Sequence, residues 1–265
     1  MLRISLLSAL LLISPLTLAS CNDDANKARL DNRIEESMEI LRDCLDVGLS
    51  KVARTYLLMG LTQYEQGEHR KAIQDYTKAI EIAENYVAAY VNRGLSHSLS
   101  GQYKSSLKDF ETALKLDPEY MQAYYFRAFA HEKKGKYDLA IADYSSAIVH
   151  VDSKSDLAKI YHHRALAYRK DGNNELALAD YGEALKINPE YTDAYFSRAL
   201  LFQKDKQYEA AIADYSRAIE LQPEHAEAFY NRGLLYRKAG TDHLAMVTCP
   251  SYSIPAGLVP NTNPF

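Results

Sequence analysis

The chain has 265 residues, 47% of them hydrophobic and 25% charged, with a formal net charge of −4. Trp is absent, Gly and Pro are sparse, and Leu, Ala, Tyr, Lys and Glu are abundant, a mix that suits helices. The acidic balance lacks the basic footprint of a general nucleic-acid binder. Cys21, Cys44 and Cys249 form neither a CxxC pair nor a Cys/His cluster of zinc-finger spacing, which argues against a structural zinc site and a disulfide framework.

Residues 1–20 read as an export signal. Arg3 supplies the positive charge, Ile4 to Ile13 form a Leu-rich apolar run, Pro15 breaks it, and Ala19 and Ser20 are small. The run is shorter than the roughly 20 residues that span a bilayer. The segment closes on Leu18-Ala19-Ser20-Cys21, which resembles the bacterial lipobox. That resemblance implies cleavage before Cys21, attachment of fatty acyl chains to its thiol, and a protein held at a membrane. Asn22 follows the cysteine; by resemblance to enterobacterial sorting, this implies an outer-membrane lipoprotein facing the periplasm. An ordinary cleaved signal peptide and an uncleaved buried helix are the alternatives. Residues 21–26 are then a lipidated tether. Residues 27–47, with Leu30, Ile34, Met38, Leu41 and Leu45 on one stripe, form an amphipathic capping helix; Cys44 lies near that stripe as a small apolar filler.

From about residue 50 the chain repeats itself. Gly60, Gly94 and Ala128 are 34 apart; Ala165, Ala199 and Gly233 resume the spacing after a step of 37. Four residues before each stands an aromatic: Tyr56, Tyr90, Tyr124, Tyr161, Tyr195 and Phe229. Twelve residues after each comes Ala72, Ser106, Ala140, Ala177, Ala211 or Ala245. A second aromatic column (Tyr76, Phe110, Tyr144, Tyr181, Tyr215) and a second alanine column (Ala79, Ala113, Ala147, Ala184, Ala218) follow, and Pro118, Pro189 and Pro223 end their repeats.

This set of columns resembles the tetratricopeptide repeat family. The resemblance implies an all-α fold, a right-handed alpha-solenoid of antiparallel helical hairpins, over residues 50–245, with five full repeats and an incomplete sixth. The residues agree independently: Tyr90, Gly94 and His97 share one helical face, as do Ser106, Phe110 and Ala113. Helices this short are marginal alone and require neighbours. Gly67, Gly101, Gly135 and Gly172 suit the turn inside each hairpin, and Lys206 replaces glycine in one. Asp117-Pro118 and Asn188-Pro189 read as helix starts with a capping side chain. The three extra residues near Val151 to Asp156 predict a longer connection.

The sixth repeat has Phe229, Arg232, Gly233 and Tyr236, but an Asp-aromatic pair expected at 248–249 is replaced by Thr248-Cys249. Residues 246–265 contain Pro250, Pro255, Pro260 and Pro264 and read as an irregular tail. Two readings stay open: a hairpin interrupted by shortening or frame shift, or a segment that covers the open end or recruits a partner.

No motif for catalysis or cofactor binding is found: no GxSxG, HExxH, P-loop or GxGxxG. His162 and His163 are adjacent, so a helix points them about 100° apart, poorly placed to share a metal. His97 and His131 share a column with Tyr168, Phe202 and Tyr236 and suit aromatic packing. One polar pattern recurs strictly. Arg93, Arg127, Arg164, Arg198 and Arg232 each precede the small residue, and Asp75, Asp109, Asp143, Asp180 and Asp214 each precede the second aromatic. The arginines are either a ligand ladder or structural partners of the aspartates; joint recurrence favours the second.

The family resemblance implies that the first helix of each hairpin lines a concave groove for a partner peptide or helix. By helical spacing its lining includes Val91, Asn92, Leu95, Tyr125, Phe129 and His162, then Leu166, Phe196, Leu200, Tyr230, Asn231 and Leu234, with Lys133, Arg169, Lys170, Lys204, Arg237 and Lys238 at the edge. Packing on the adjacent helix, and cations offsetting helix dipoles, are the competing readings. Leu57 and Leu61 occupy positions where some family members place a carboxylate clamp, so that clamp is not expected. The functional expectation is a membrane-anchored scaffold in the cell envelope that binds other proteins and no nucleic acid, without enzymatic activity. An envelope enzyme accessory or a protein that itself acts on cell-wall material, and a self-associating structural protein, a homo-oligomer using the open C-terminal end, are the alternatives.

Overall fold

The computed structural model describes residues 49–238 continuously, together with residues 23–24, 26–29 and 35–36. The segment read as an export signal, Cys21, most of the expected capping helix with Cys44, and the chain from residue 239 onward, including Ala245 and the expected tail, lie outside the described residues.

The described residues contain helices and no strand. They are α1 (Leu49–Glu65), α2 (His69–Ile82), α3 (Val87–Leu99), α4 (Tyr103–Leu116), α5 (Met121–Lys133) and α6 (Tyr137–Val149), then α7 (Lys154–Asp171), α8 (Asn174–Ile187), α9 (Thr192–Lys204), α10 (Tyr208–Leu221) and α11 (Ala226–Lys238). The chain divides into two compact units, Met1–Val151 and Asp152–Phe265. In the first, α1–α2, α3–α4 and α5–α6 are packed hairpins, and α2 meets α3 as α4 meets α5. The first helices also touch directly, α1 with α3 and α3 with α5. In the second, α7–α8 and α9–α10 are hairpins, joined through α8–α9, and α11 packs on α10. Each unit is therefore a stack of helical pairs in sequence order.

The helices form where the apolar residues recur at helical spacing. In α10, Ala211, Asp214, Tyr215, Ala218 and Ile219 are buried, the i, i+3, i+4, i+7, i+8 stripe of one face. The same stripe is Ala72 to Ile80 in α2 and Ala177 to Leu185 in α8. Tyr76, Tyr144, Tyr181 and Tyr215 are wholly buried, each contributing roughly 1.5–3 kcal/mol through burial. Two of their hydroxyls are met from the end of the facing helix: Tyr144 donates to Glu132 Oε2 at 3.2 Å and Tyr215 to Gln203 Oε1 at 2.8 Å. At Gly60 the approach is so close that an added Cβ would lie 2.4 Å from the Tyr76 ring.

The turns inside the hairpins reverse by a left-handed residue. Gly67, Gly101, Gly135 and Gly172 have φ between 70° and 91°, and Lys206 takes φ 60° in the same place. Closure is equivalent: Gln207 N donates to Phe202 O at 2.9 Å as Gln102 N donates to His97 O at 2.8 Å. Lys206 thus accepts the glycine conformation instead of reshaping the turn.

Two expectations are corrected. Asp117 and Asn188 do not cap the helices that follow. Each is the residue at which the preceding helix ends, and its side chain accepts the amide of Glu119 or Glu190 at 3.0 and 3.1 Å, bracing the proline turn. The helices begin later, at Met121 and Thr192, after Tyr120 and Tyr191. Nor is the connection near Val151 lengthened. α6 ends at Val149 and α7 begins at Lys154, and the extra length is absorbed in α7, which has 18 residues where α3, α5, α9 and α11 have 13. Ser153 provides the start: its hydroxyl accepts the Asp156 amide at 3.3 Å.

Candidate functional site

The repeated polar columns form a ladder of bidentate ion pairs, each within one hairpin. Arg93 on α3 donates from Nε and Nη2 to the two carboxylate oxygens of Asp109 on α4, at 2.9 and 2.7 Å. Arg127 with Asp143 (2.9 and 2.6 Å), Arg164 with Asp180 (2.7 and 2.8 Å) and Arg198 with Asp214 (2.7 and 2.8 Å) repeat it. Each arginine also lies 5.4 to 5.7 Å from the centre of the aromatic three residues before it: Tyr90, Tyr124, Tyr161 and Tyr195. The side-chain hydrogen bonds to Asp180 and Asp214 hold Arg164 and Arg198 above the ordinary guanidinium pKa. These arginines are committed to the fold, with their polar faces already occupied.

The pairing always runs forward from the first helix of a hairpin to its second, so the ends of the two columns are left without mates in register. Asp75 is buried, and the first-helix position that matches it is Met59, where a ladder arginine would stand. Burial raises the Asp75 pKa, with Lys78 opposing, and Lys78 Nζ sits 5.1 Å over the Tyr56 ring where an arginine sits in later hairpins. At the other end, Arg232 lies 5.5 Å from Phe229 and donates to Ser216 Oγ at 2.9 Å. Arg93 makes the same backward contact, to Thr77 Oγ1 at 3.2 Å. These hydroxyl and Lys78 contacts were not read from the sequence. The available signal was that Thr77 and Ser216 each stand as far before their arginine as Asp109 stands after Arg93.

The column shared by His97 and His131 is polar in the first unit. His97 Nε2 lies 3.8 Å from Asp109, and His131 Nε2 3.7 Å from Asp143. Their Nδ1 atoms face Gln102 Oε1 and the Tyr103 hydroxyl, both at 2.7 Å. In the second unit the same column packs Tyr168 and Phe202 on Arg164 and Arg198, at 5.7 and 5.8 Å. Aromatic packing holds for His131 as well, whose ring meets Tyr103 edge-on at 5.9 Å, and the histidines add polar contacts that Tyr168 and Phe202 do not make. His162 and His163 meet at a steep interplanar angle of 65°. The His162 nitrogens face Ser197 Oγ at 3.3 Å and the Tyr191 hydroxyl at 3.2 Å. Burial pushes the His162 pKa down to about 3 and lowers His163 as well. Among the described residues no group of His, Cys, Asp or Glu is placed to hold a metal ion.

The expected groove residues divide by depth. Val91, Leu95 and His162 are buried and cannot line an open surface, because their helical angle turns them into the packing between neighbouring helices. Asn92 and Asn231 are turned back on their own helices, donating to Ala88 O and Glu227 O at 2.8 and 2.9 Å. In the first unit Tyr125 and Phe129 on α5 are half-buried; Tyr125 leans on Phe126 and Tyr144, and Lys133 Nζ sits 5.0 Å over Phe129. In the second unit Leu166, Phe196 and Leu200 are half-buried, and Tyr230 and Leu234 on α11 are exposed. Leu57 is buried and Leu61 half-buried, so neither position offers a polar clamp. No described helix is long and apolar enough to cross a membrane.

Family models agree with the repeat pattern. Models described as tetratricopeptide repeat match residues 53–86 and 92–156, and one described as TPR repeat matches 165–206 and 205–240. No curated protein matches the sequence. Solved structures match the fold. PilF of Pseudomonas aeruginosa aligns with a TM-score of 0.67 at 16% identity over 76% of this chain and 90% of its own. A tetratricopeptide repeat protein from Parabacteroides merdae aligns at 0.64 and 18% identity, over 88% and 91%. A chain of the APC/C Cut9–Hcn1 hetero-tetramer aligns at 0.67 and 16% identity over 84% of this chain, which spans 42% of that one. YrrB, a TPR protein with an unusual peptide-binding site, aligns at 0.54 and 21% identity, over 68% and 91%.

Proposed function

We propose, on the premise that this chain carries tetratricopeptide repeats, that it is a protein-interaction scaffold whose first-helix faces bind a partner peptide or helix. The observation that carries this is the uneven commitment of side chains. The ladder arginines and the second-helix aromatics are consumed by the fold. On the first helices, by contrast, Tyr125 and Phe129 in one unit, and Tyr230 and Leu234 in the other, keep apolar surface in reach of solvent. Partly exposed rings with a cation alongside, such as Phe129 with Lys133, are typical anchors for a polypeptide. The likeness to YrrB, which has a peptide-binding site, supports the same reading. No catalytic role is assigned.

The second part of the proposal is the address. Cys21 carries acyl chains and holds the scaffold in the cell envelope, at the outer membrane facing the periplasm, as the Leu18-Ala19-Ser20-Cys21 sequence supports. Labelling with a fatty-acid analogue is expected to mark the full chain and not Cys21→Ala; equal labelling of both would remove the anchor. For the binding face, capture from membranes with the full chain is compared with Tyr125→Ala/Phe129→Ala and with Tyr230→Ser/Leu234→Ser, each checked for helicity. Loss of a specific partner is expected. An unchanged partner set in both folded variants refutes the assignment.

A further inference from the structure

Cations are spread unevenly over the helix ends. In the second unit each described first helix closes on them: Arg169 and Lys170 in the last turn of α7, Lys204 in that of α9, Arg237 and Lys238 in that of α11. In the first unit α1 has none, α3 has only His97, and α5 has His131 and Lys133. Those three are engaged, the histidines beside Asp109 and Asp143 and Lys133 over Phe129. The helix dipole favours a cation at any helix C-terminus, yet the second helices α2, α6 and α10 end without one. The dipole therefore does not account for the row in the second unit. Among the described residues of that unit, ion pairs join the ladder groups, Lys159 to Asp156, Lys186 to Glu183 and Arg217 to Glu220. Arg169, Lys170 and Lys204 join none.

These cations close an apolar stripe. Leu166 stands three and four residues before Arg169 and Lys170, and Phe196 and Leu200 stand eight and four before Lys204, so each cation shares a helix face with them. The three apolar side chains and Arg169 are half-buried, and Lys170 and Lys204 are exposed. His162 on α7 joins the two helices, facing Ser197 on α9 and the hydroxyl of Tyr191 just before it. We infer that the first-helix face of α7 and α9 takes an acidic segment of a partner protein, its apolar side chains over Leu166, Phe196 and Leu200 and its Asp or Glu side chains answered by Arg169, Lys170 and Lys204. This rests on the reading of the first-helix faces as a polypeptide site and names the chemistry of the partner. Charge complementarity carries it, since like charges gathered along one edge without carboxylates of their own reject a basic segment and favour an acidic one. The row holds more cations than one chain terminus can answer, so the acids are the side chains of a run and not a C-terminal carboxylate.

The probe is a labelled peptide with both ends blocked, acetyl-Leu-Phe-Asp-Glu-Asp-Glu amide, and its uncharged twin with Asn and Gln in place of the acids. Fluorescence anisotropy with the full chain is expected to show saturable binding of the acidic peptide and binding weaker by about tenfold or more for the twin, the value of a few charge contacts. Lys170→Gln/Lys204→Gln and Arg169→Met are each expected to weaken the acidic peptide and leave the twin as it was. Lys186→Gln removes the same charge from α8 and is expected to bind as the parent does. Lys170 and Lys204 are exposed, so a folding defect cannot imitate the result of the double variant. Absence of binding by the acidic peptide, equal binding of the two peptides, or an equal loss in Lys186→Gln overturns the assignment. Equal binding of the two peptides leaves the face a polypeptide site and removes only its preference for acid, and the capture from membranes decides the broader reading separately.

Discussion

Arg127 and Asp143 are locked face to face, Nε to Oδ2 at 2.9 Å and Nη2 to Oδ1 at 2.6 Å, across the two helices of one hairpin. The side chains are 22% and 9% exposed, so water neither replaces nor screens the pair fully. Arg127→Met is expected to cost about 3 kcal/mol, because it strands a buried carboxylate, and Asp143→Asn a similar amount. The double variant is expected to lose clearly less than the sum, as measured by urea denaturation. Additive losses would show that the two groups are not partners.

Glycine has opposite values at two sites. At Gly60 an added methyl collides with the Tyr76 ring, so Gly60→Ala should cost about 2 kcal/mol through overpacking. At Gly182, inside α8, an added methyl meets nothing within 4 Å, so Gly182→Ala should stabilise by about 0.5–1 kcal/mol through helix propensity. A melt of Gly60→Ala at or above the parent temperature would refute the close approach, and a lowered melt of Gly182→Ala would refute the open space there.

Lys206 holds φ 60° in a turn that uses glycine in the other hairpins. Lys206→Gly removes that backbone cost and is expected to raise stability by about 1 kcal/mol, since a left-handed L-residue is penalised by roughly that much. A loss of stability on denaturant titration would mean that the lysine side chain outweighs its backbone.

Acid should weaken the second unit. The His162 pKa is about 3 in the fold against an ordinary 6.5, because burial disfavours its charged form. A depressed value means the contribution is complete above about pH 6.5 and is lost as pH falls toward 3, since the unfolded chain takes up a proton that the fold refuses. At pH 5 the loss from this group is about 2 kcal/mol. Paired urea titrations at pH 7 and pH 5 measure it, and His162→Gln should reduce the difference by about that amount. An unchanged difference in the variant would place the acid sensitivity elsewhere.

The repeat period, the helical stripes and the small-residue columns were legible without coordinates, because in a stack each helix meets only its sequence neighbours and the same local contacts recur. The ladder was legible as two columns for the same reason. Its forward register was legible as well, in the pairing of Arg127 with Asp143; the ends at Asp75 and Arg232, where that register has no mate, were not. Whether Val91 and Leu95 faced a groove, whether Asn92 was available, and whether the residues before Asp156 lengthened a loop or a helix were decided by tertiary structure. Spacing along a helix places a residue on a face to within some tens of degrees. How deeply that face is covered, and where a helix can start, depend on the fit of the neighbouring helix, and close packing settles that fit only when all the side chains are placed together.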